Sequence, residues 1–353
     1  MSDPSGPSWW RAPAPRELPA LREHLADYLA SEPAQLFTTS NVELGRGTLR
    51  PSTSDPALSA ALLLDDEHRR LSQAQLFYVT ADITKAVRHA ARNLTDKWDI
   101  QPHDLPATTG FMLFAAPMGE YVRDNGKTAY VVAVSWGETQ LMASSDSGLW
   151  LTFWTATDFS ESVRLARAFG ASQREAERGA RAQNAELTWD NEIYLPWGSV
   201  TVTAPDPVES PQVRTVDPTT LAASHTTIDW LRVAHAGWVF CQPNAFTDVT
   251  EQHLPKTARR RAERAGHVAS PVRVVSVKHR RTRAAKPTTP SGRTVGVRFP
   301  VDPFLRRQAY GPGWSLRRWT VVAGHWRGPE NAPVRISTKV TLVDTPPDTS
   351  TSD

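Results

Sequence analysis

A single cysteine, Cys241, stands in a chain of 353 residues. Without a second thiol there is no internal disulfide and no cysteine-built zinc knuckle or ribbon, and a reducing compartment suits such a composition. Long apolar runs are missing too. Nothing approaches the stretch of about 18 apolar residues that spans a membrane, and the first ten residues have neither the basic nor the apolar region of a signal peptide. The chain is therefore expected in the cytoplasm, with no membrane partner. The phosphate-cradling strings GxGxxG and GxxxxGK(S/T) do not occur, nor does the Gly-x-Ser-x-Gly of a nucleophile elbow. None of the ten His forms a His-x-x-x-His pair, so no metal-ligand spacing is available. Nucleotide hydrolysis and serine-hydrolase chemistry are disfavoured, and neither cofactor nor metal is expected. The densest carboxylate cluster, Asp65-Asp66-Glu67-His68, is read as a solvated helix turn, and Cys241 as a small buried side chain on an apolar helix face.

Acids are scarce in one part of the chain only. The formal charge is +3, yet residues 256–327 hold eighteen Lys or Arg and just two acids, Glu263 and Asp302, a local net of +16 against −13 elsewhere. Such polarity bears on partners rather than on fold. Seven Lys stand against 33 Arg. The bias is what a GC-rich coding genome produces, but it also supplies the planar fork that grips phosphate and stacks on bases. Nucleic acid is the expected partner, and a homodimer is an open possibility.

The 28 Pro argue against coiled coils and mark loops. Apolar spacing predicts helices over 17–30, 56–70, 72–93 and 161–182, and over 227–242, where Thr227 caps and Pro243 stops the helix. A short basic helix over 256–266 ends at Gly266. Enrichment in β-branched and aromatic residues predicts strands over 110–116, 128–136 and 149–155 as an antiparallel meander, with another over 199–204. Further strands are expected over 272–279, 294–300, 319–323 and 336–343. The fold expected is α+β. A disordered lead-in (1–16) precedes an acidic domain of helices and a three-stranded meander (17–204). A Pro-rich linker (205–226), a basic module of helices and a small antiparallel sheet (227–344) and a disordered tail (345–353) follow.

Within the basic module, Arg259, Arg260, Arg261 and Arg264 fit a helix laid on phosphates, each neutralised charge adding sequence-independent affinity; a solvent-facing linker helix is the plainer reading. Lys278, Arg280 and Arg281 continue the patch along a strand. The segment from Phe304 to Trp319 interleaves Arg306, Arg307, Arg317 and Arg318 with Tyr310 and Trp314, the mixture that holds and stacks bases; core packing is the alternative for the aromatics. Gly324-His325-Trp326-Arg327-Gly328-Pro329-Glu330 places His325, Arg327 and Glu330 within six residues. Those are ingredients of metal-independent RNA cleavage, in which a His serves as acid or base and an Arg steadies the phosphorane. A His bonded to backbone in a turn is the competing reading.

The strings Arg306-Arg307-Gln308-Ala-Tyr310-Gly-Pro-Gly-Trp314-Ser-Leu-Arg317-Arg318 and Gly324-His325-Trp326-Arg327-Gly328-Pro329-Glu330-Asn-Ala-Pro333 resemble those of a group of actinobacterial proteins borne by plasmids, prophages and integrative elements. Gly110-Phe-Met-Leu-Phe and Val134-Ser-Trp136-Gly extend the likeness from about residue 70 onward. Members often carry Gly-His-Trp-Arg ahead of the Tyr-Gly-Pro-Gly turn, where this chain has Val301-Asp302-Pro303-Phe304-Leu305-Arg306, so a two-histidine centre loses one member. The group has no established activity; the resemblance implies a mobile-element setting and no mechanism. The leading expectation is a non-enzymatic nucleic-acid-binding accessory or regulatory protein, with Arg327 also in the binding set. A ribonuclease or toxin-like RNA cleaver centred on His325 and Arg327 is the alternative. A third reading is a protein-interaction module that satisfies its positive patch with opposite charge.

Overall fold

The structure, a computed structural model, describes residues 10–44, 53–94, 97–123, 126–139, 148–196, 200–203, 220–221, 225–244, 246–278, 296–329 and 332–333. Three helices come first: α1 (Leu18–Leu29), α2 (Glu32–Glu43) and α3 (Pro56–Gln73). The starts of α2 and α3 have a local cause. Ser31 accepts from Ala34 N at the head of α2, and Asp55 accepts from Ala57 N and Leu58 N at the head of α3, with Pro at N1 or N2 in both. The C-terminus of α3 is closed by a side chain from another helix: Arg22 of α1, fully buried, donates to the carbonyls of Leu71 and Ser72. A guanidinium there answers both the unpaired carbonyls and the negative end of the helix dipole.

The chain then alternates. β1 (Gln75–Val79) leads to α4 (Ala81–Arg92) and β2 (Lys97–Ile100), followed by β3 (Gly110–Phe114), β4 (Gly119–Val122), β5 (Thr128–Glu138) and β6 (Gly148–Ala156). A helical hairpin, α5 (Ser160–Ala168) and α6 (Gln173–Gln183), connects to β7 (Leu187–Pro196), β8 (Val200–Thr203) and β9 (Thr220–Leu221). Next come α7 (His225–Cys241), β10 (Thr247–Gln252), α8 (Lys256–Arg264) and β11 (Val272–Val277). The last strands are β12 (Phe299–Val301), β13 (Phe304–Tyr310), β14 (Leu316–Val322) and β15 (His325–Arg327).

One sheet runs in the order β10-β11-β1-β3-β5-β6-β7, with β4 also on β5. β1 lies parallel to both β11 and β3, while the β3–β5, β5–β6, β6–β7 and β10–β11 ladders are antiparallel. Because successive side chains alternate faces, the sheet has two separate cores. Leu76, Tyr78, Phe111, Leu113 and Val272 pack under α1 and α3. Phe77, Val79, Met112, Phe114 and Val275 pack under α4 and α7. Burying each such side chain is worth about 1.5–3 kcal/mol.

The fold is mixed α+β, but several expected elements fall differently. The single helix expected over 72–93 is α3's last turn, a strand and α4. Leu76-Phe77-Tyr78-Val79 follows helical spacing in part, but it is a four-residue apolar run of the kind that forms a strand covered on both faces. The helix expected over 161–182 is broken at Gly170, whose φ is +92°, and Ser172 and Glu175 cap its second half reciprocally. α2 lay unforeseen between two expected helices, and β2, β4, β7, β10, β13 and, within the expected linker, β9 were not anticipated either. The expected boundary between an acidic domain (17–204) and a basic module (227–344) is not where the contacts divide the chain. One unit comprises residues 1–279 and 303–323, the other 280–302 and 324–353. β11 is the reason, since it pairs directly with β1 and so makes part of the basic third an inner strand of the first unit's sheet. The expected lead-in also contributes to the core, where Trp10 packs half-buried. The strand expected over 336–343 and the tail lie outside the described residues.

Candidate nucleic-acid interface

β13 and β14 pair as an antiparallel two-stranded ribbon, in register from Phe304↔Val322 to Tyr310↔Leu316. Directly opposed residues share a face. Leu305 and Val321 are opposed and buried in the core beneath α4 and α7, which fixes the inward face as 305, 307, 309, 317, 319 and 321. On that face Trp319 donates its indole N–H to the Asp99 carbonyl at 2.9 Å, and Arg307 pairs with the Asp99 carboxylate at 2.7 Å. Both contacts tether the ribbon to β2. Arg317 donates to the carbonyls of Trp314 and Leu316 and so holds the turn.

The outward face carries Arg306, Gln308, Tyr310, Leu316, Arg318 and Thr320. Arg306 donates to the side-chain Oε1 of Gln308, and the Arg318 guanidinium lies 5.2 Å from the Tyr310 ring centroid. Among the described residues neither Arg306 nor Arg318 is in an ion pair, and residues 304–322 include no acid. At the tip, Gly311, Gly313 and Trp314 have φ of +77°, +59° and +57°. Trp314 is the one non-glycine residue in that region among the described residues, and its side chain is 67 % exposed. An exposed aromatic held in a backbone conformation that costs about 1 kcal/mol is not accounted for by core packing, and such strain gathers at working sites.

The remaining expected contacts are distributed elsewhere. α8 is basic and exposed at Arg259, Arg260 and Arg264, and its Ala262 is buried. Arg261, however, pairs with Glu23 of α1 at 2.9 Å, and Arg259 approaches Glu263 at 3.7 Å. α8 therefore lies on the α1 side of the sheet and the ribbon on the α4–α7 side. The two basic surfaces lie on opposite sides of the sheet, and part of the α8 charge is neutralised within the chain. Lys278 is exposed just past β11; Arg280 and Arg281 lie outside the described residues. In the second unit, β12 and β15 pair so that Val301 faces His325 and Phe299 faces Arg327. His325 and Arg327 share one exposed face, Arg298 stacks over Trp326 at 5.2 Å, and Glu330 lies outside the described residues.

Sequence reasoning passed over Gln308, Leu316 and Thr320, which only register places beside Arg306 and Arg318. It also passed over Lys85, Arg88 and Arg92 on α4, the helix against which β13 packs. Burial, then the charge of Arg92, lowers the pKa of Arg88.

Asp66 and Glu67 correct another expectation: they are buried, not a solvated turn. Arg70 bridges both carboxylates; Thr139 and Arg69 donate to Asp66, and Ser135 and Thr152 donate to Glu67 at 2.6 and 2.7 Å. Every carboxylate oxygen accepts at least one bond, and no group of three metal-ligating side chains occurs among the described residues. A second buried pair, Asp104 and His235 at 3.1 Å, lies beneath the ribbon with the Trp319 ring 6.0 Å from the imidazole. Cys241 is half-buried, and burial pushes its thiol up to about 12, which suits packing and not nucleophilic attack. Among the described residues no helix is long and apolar enough to cross a membrane. Compared with known proteins, the chain matches no family model and no curated sequence.

Proposed function

We propose that the protein binds nucleic acid through the β13–β14 ribbon and acts as a non-enzymatic accessory or regulatory factor, in keeping with the mobile-element resemblance of its C-terminal strings. One observation carries the reading: a ribbon anchored to the core by one face presents Arg306, Gln308, Tyr310 and Arg318 on the other, with no acid on either strand. The division of labour among its arginines supports it. Arg307 and Arg317 serve the fold, whereas Arg306 and Arg318 point away from it. Lys85 and Arg92 are exposed on α4, the helix against which β13 packs, and phosphate contacts from such residues add affinity and register.

The test is a fluorescence-anisotropy titration of the full chain with a labelled duplex DNA and a labelled single-stranded RNA, each at several salt concentrations. Affinity that falls linearly on a log–log salt plot is expected for at least one polymer. Absence of binding to either at low salt overturns the proposal.

A further inference from the structure

We infer that the polymer is duplex DNA and that the outward face of the ribbon reads base edges in its major groove; this inference rests on the ribbon being the binding surface. Three features of the face lead to it. The first is shape. A two-stranded ribbon fits the major groove of B-form DNA, about 12 Å wide, whereas the deep, narrow major groove of A-form RNA excludes side chains.

The second is the chemistry of the side chains. Arg306, Gln308 and Arg318 are the residue types that meet base edges in pairs of hydrogen bonds, guanidinium on the O6 and N7 of guanine and carboxamide on the N6 and N7 of adenine. Thr320 adds a hydroxyl, and Leu316, nearly half exposed, offers an apolar contact for a thymine methyl. Arg306 donates to Gln308 Oε1, and Gln308 Nε2 donates to the Ala309 carbonyl at 3.2 Å, so the two side chains are set side by side before any partner arrives and exchange these bonds for base edges on binding. From residue 306 to 310 the strand extends about 13 Å, or about four base-pair steps.

The third feature counts against a single strand. Stacking platforms for unpaired bases need bare aromatic faces. Here Arg318 occupies one face of the half-buried Tyr310 ring, and Trp319 is turned inward to Asp99. Trp314 alone remains, and it stands at the tip rather than on the face.

Selection of the full chain against a randomised duplex DNA pool tests the inference. Enrichment of a short motif is expected, bound more tightly as duplex DNA than as either single strand or as the same sequence in duplex RNA. Replacing its purines by 7-deazapurines, which removes the N7 acceptors from the major groove, is expected to cost about tenfold to a hundredfold in affinity. Gln308→Ala, a half-buried position on the ribbon's outward face and expected to fold normally by circular dichroism, should relax the motif at one or two positions. Salt-dependent binding with no enriched motif, tighter binding to single strands or duplex RNA, or indifference to 7-deazapurines overturns the groove assignment and leaves the proposed function standing. No binding to any of these probes overturns both.

Discussion

The Arg318 guanidinium sits over the Tyr310 ring, 5.2 Å from its centroid, on the outward face of the β13–β14 ribbon. At so exposed a site the contact is worth about 0.5–1 kcal/mol. Lysine keeps the charge of arginine but not its planar fork. Arg318→Lys is therefore expected to leave the thermal midpoint within a few degrees of wild type and the salt slope of binding unchanged, while affinity for duplex DNA falls about tenfold. A variant that binds as wild type would show that the guanidinium at 318 contributes charge alone.

Trp314 holds a positive φ that glycine adopts freely. Trp314→Gly should raise unfolding stability by about 0.5–1 kcal/mol from relief of strain, in a urea titration, and weaken nucleic-acid binding. Stability gained with binding unaffected would mean that the strained aromatic serves some other contact.

Arg70 is the hub of the buried network with Asp66 and Glu67. Arg70→Met strands two carboxylates in the core and is expected to cost about 3–5 kcal/mol. Adding Asp66→Asn and Glu67→Gln should restore much of that loss, as read by denaturant midpoints. Equal stability of the single and triple variants would contradict the ion-pair account.

His267 is buried beside Arg22, and burial first, then that neighbouring charge, lowers its pKa below the ordinary 6.5. The unfolded chain thus takes up this proton before the native one. The stability His267 contributes is complete above about pH 6.5 and is lost as pH falls through that value to below the native pKa. His267→Gln should flatten the decline of the denaturant midpoint between about pH 7 and 5; an unchanged decline would assign it to other groups.

The sequence made the basic helix visible through its composition, and α7 through the spacing of Ile228, Leu231, Ala234 and Trp238. β3, β5 and β6 were marked by β-branched and aromatic runs, since local signals of that kind survive without tertiary context. β1 did not show itself, because a strand buried on both faces lacks the alternation that distinguishes it from helix. The interface was half legible. Arg306, Arg318, Tyr310 and Trp314 stood out as an Arg–aromatic string, but their separation from Arg307 and Arg317 depends on register, which Leu305 and Val321 set by burial. Likewise, the placement of α8 across the sheet from the ribbon rests on the Arg261–Glu23 pair, between residues 238 positions apart.

If the ribbon, and not the whole basic third, meets nucleic acid, paired titrations of Arg306→Ala/Arg318→Ala and of Arg259→Ala/Arg260→Ala/Arg264→Ala against one labelled duplex will separate the two surfaces. The ribbon variant should lose tenfold or more in affinity, and the α8 variant, on the other side of the sheet, no more than about threefold at moderate salt. Loss confined to the α8 variant, with the ribbon variant binding as wild type, would assign nucleic-acid binding to α8 and not to the ribbon.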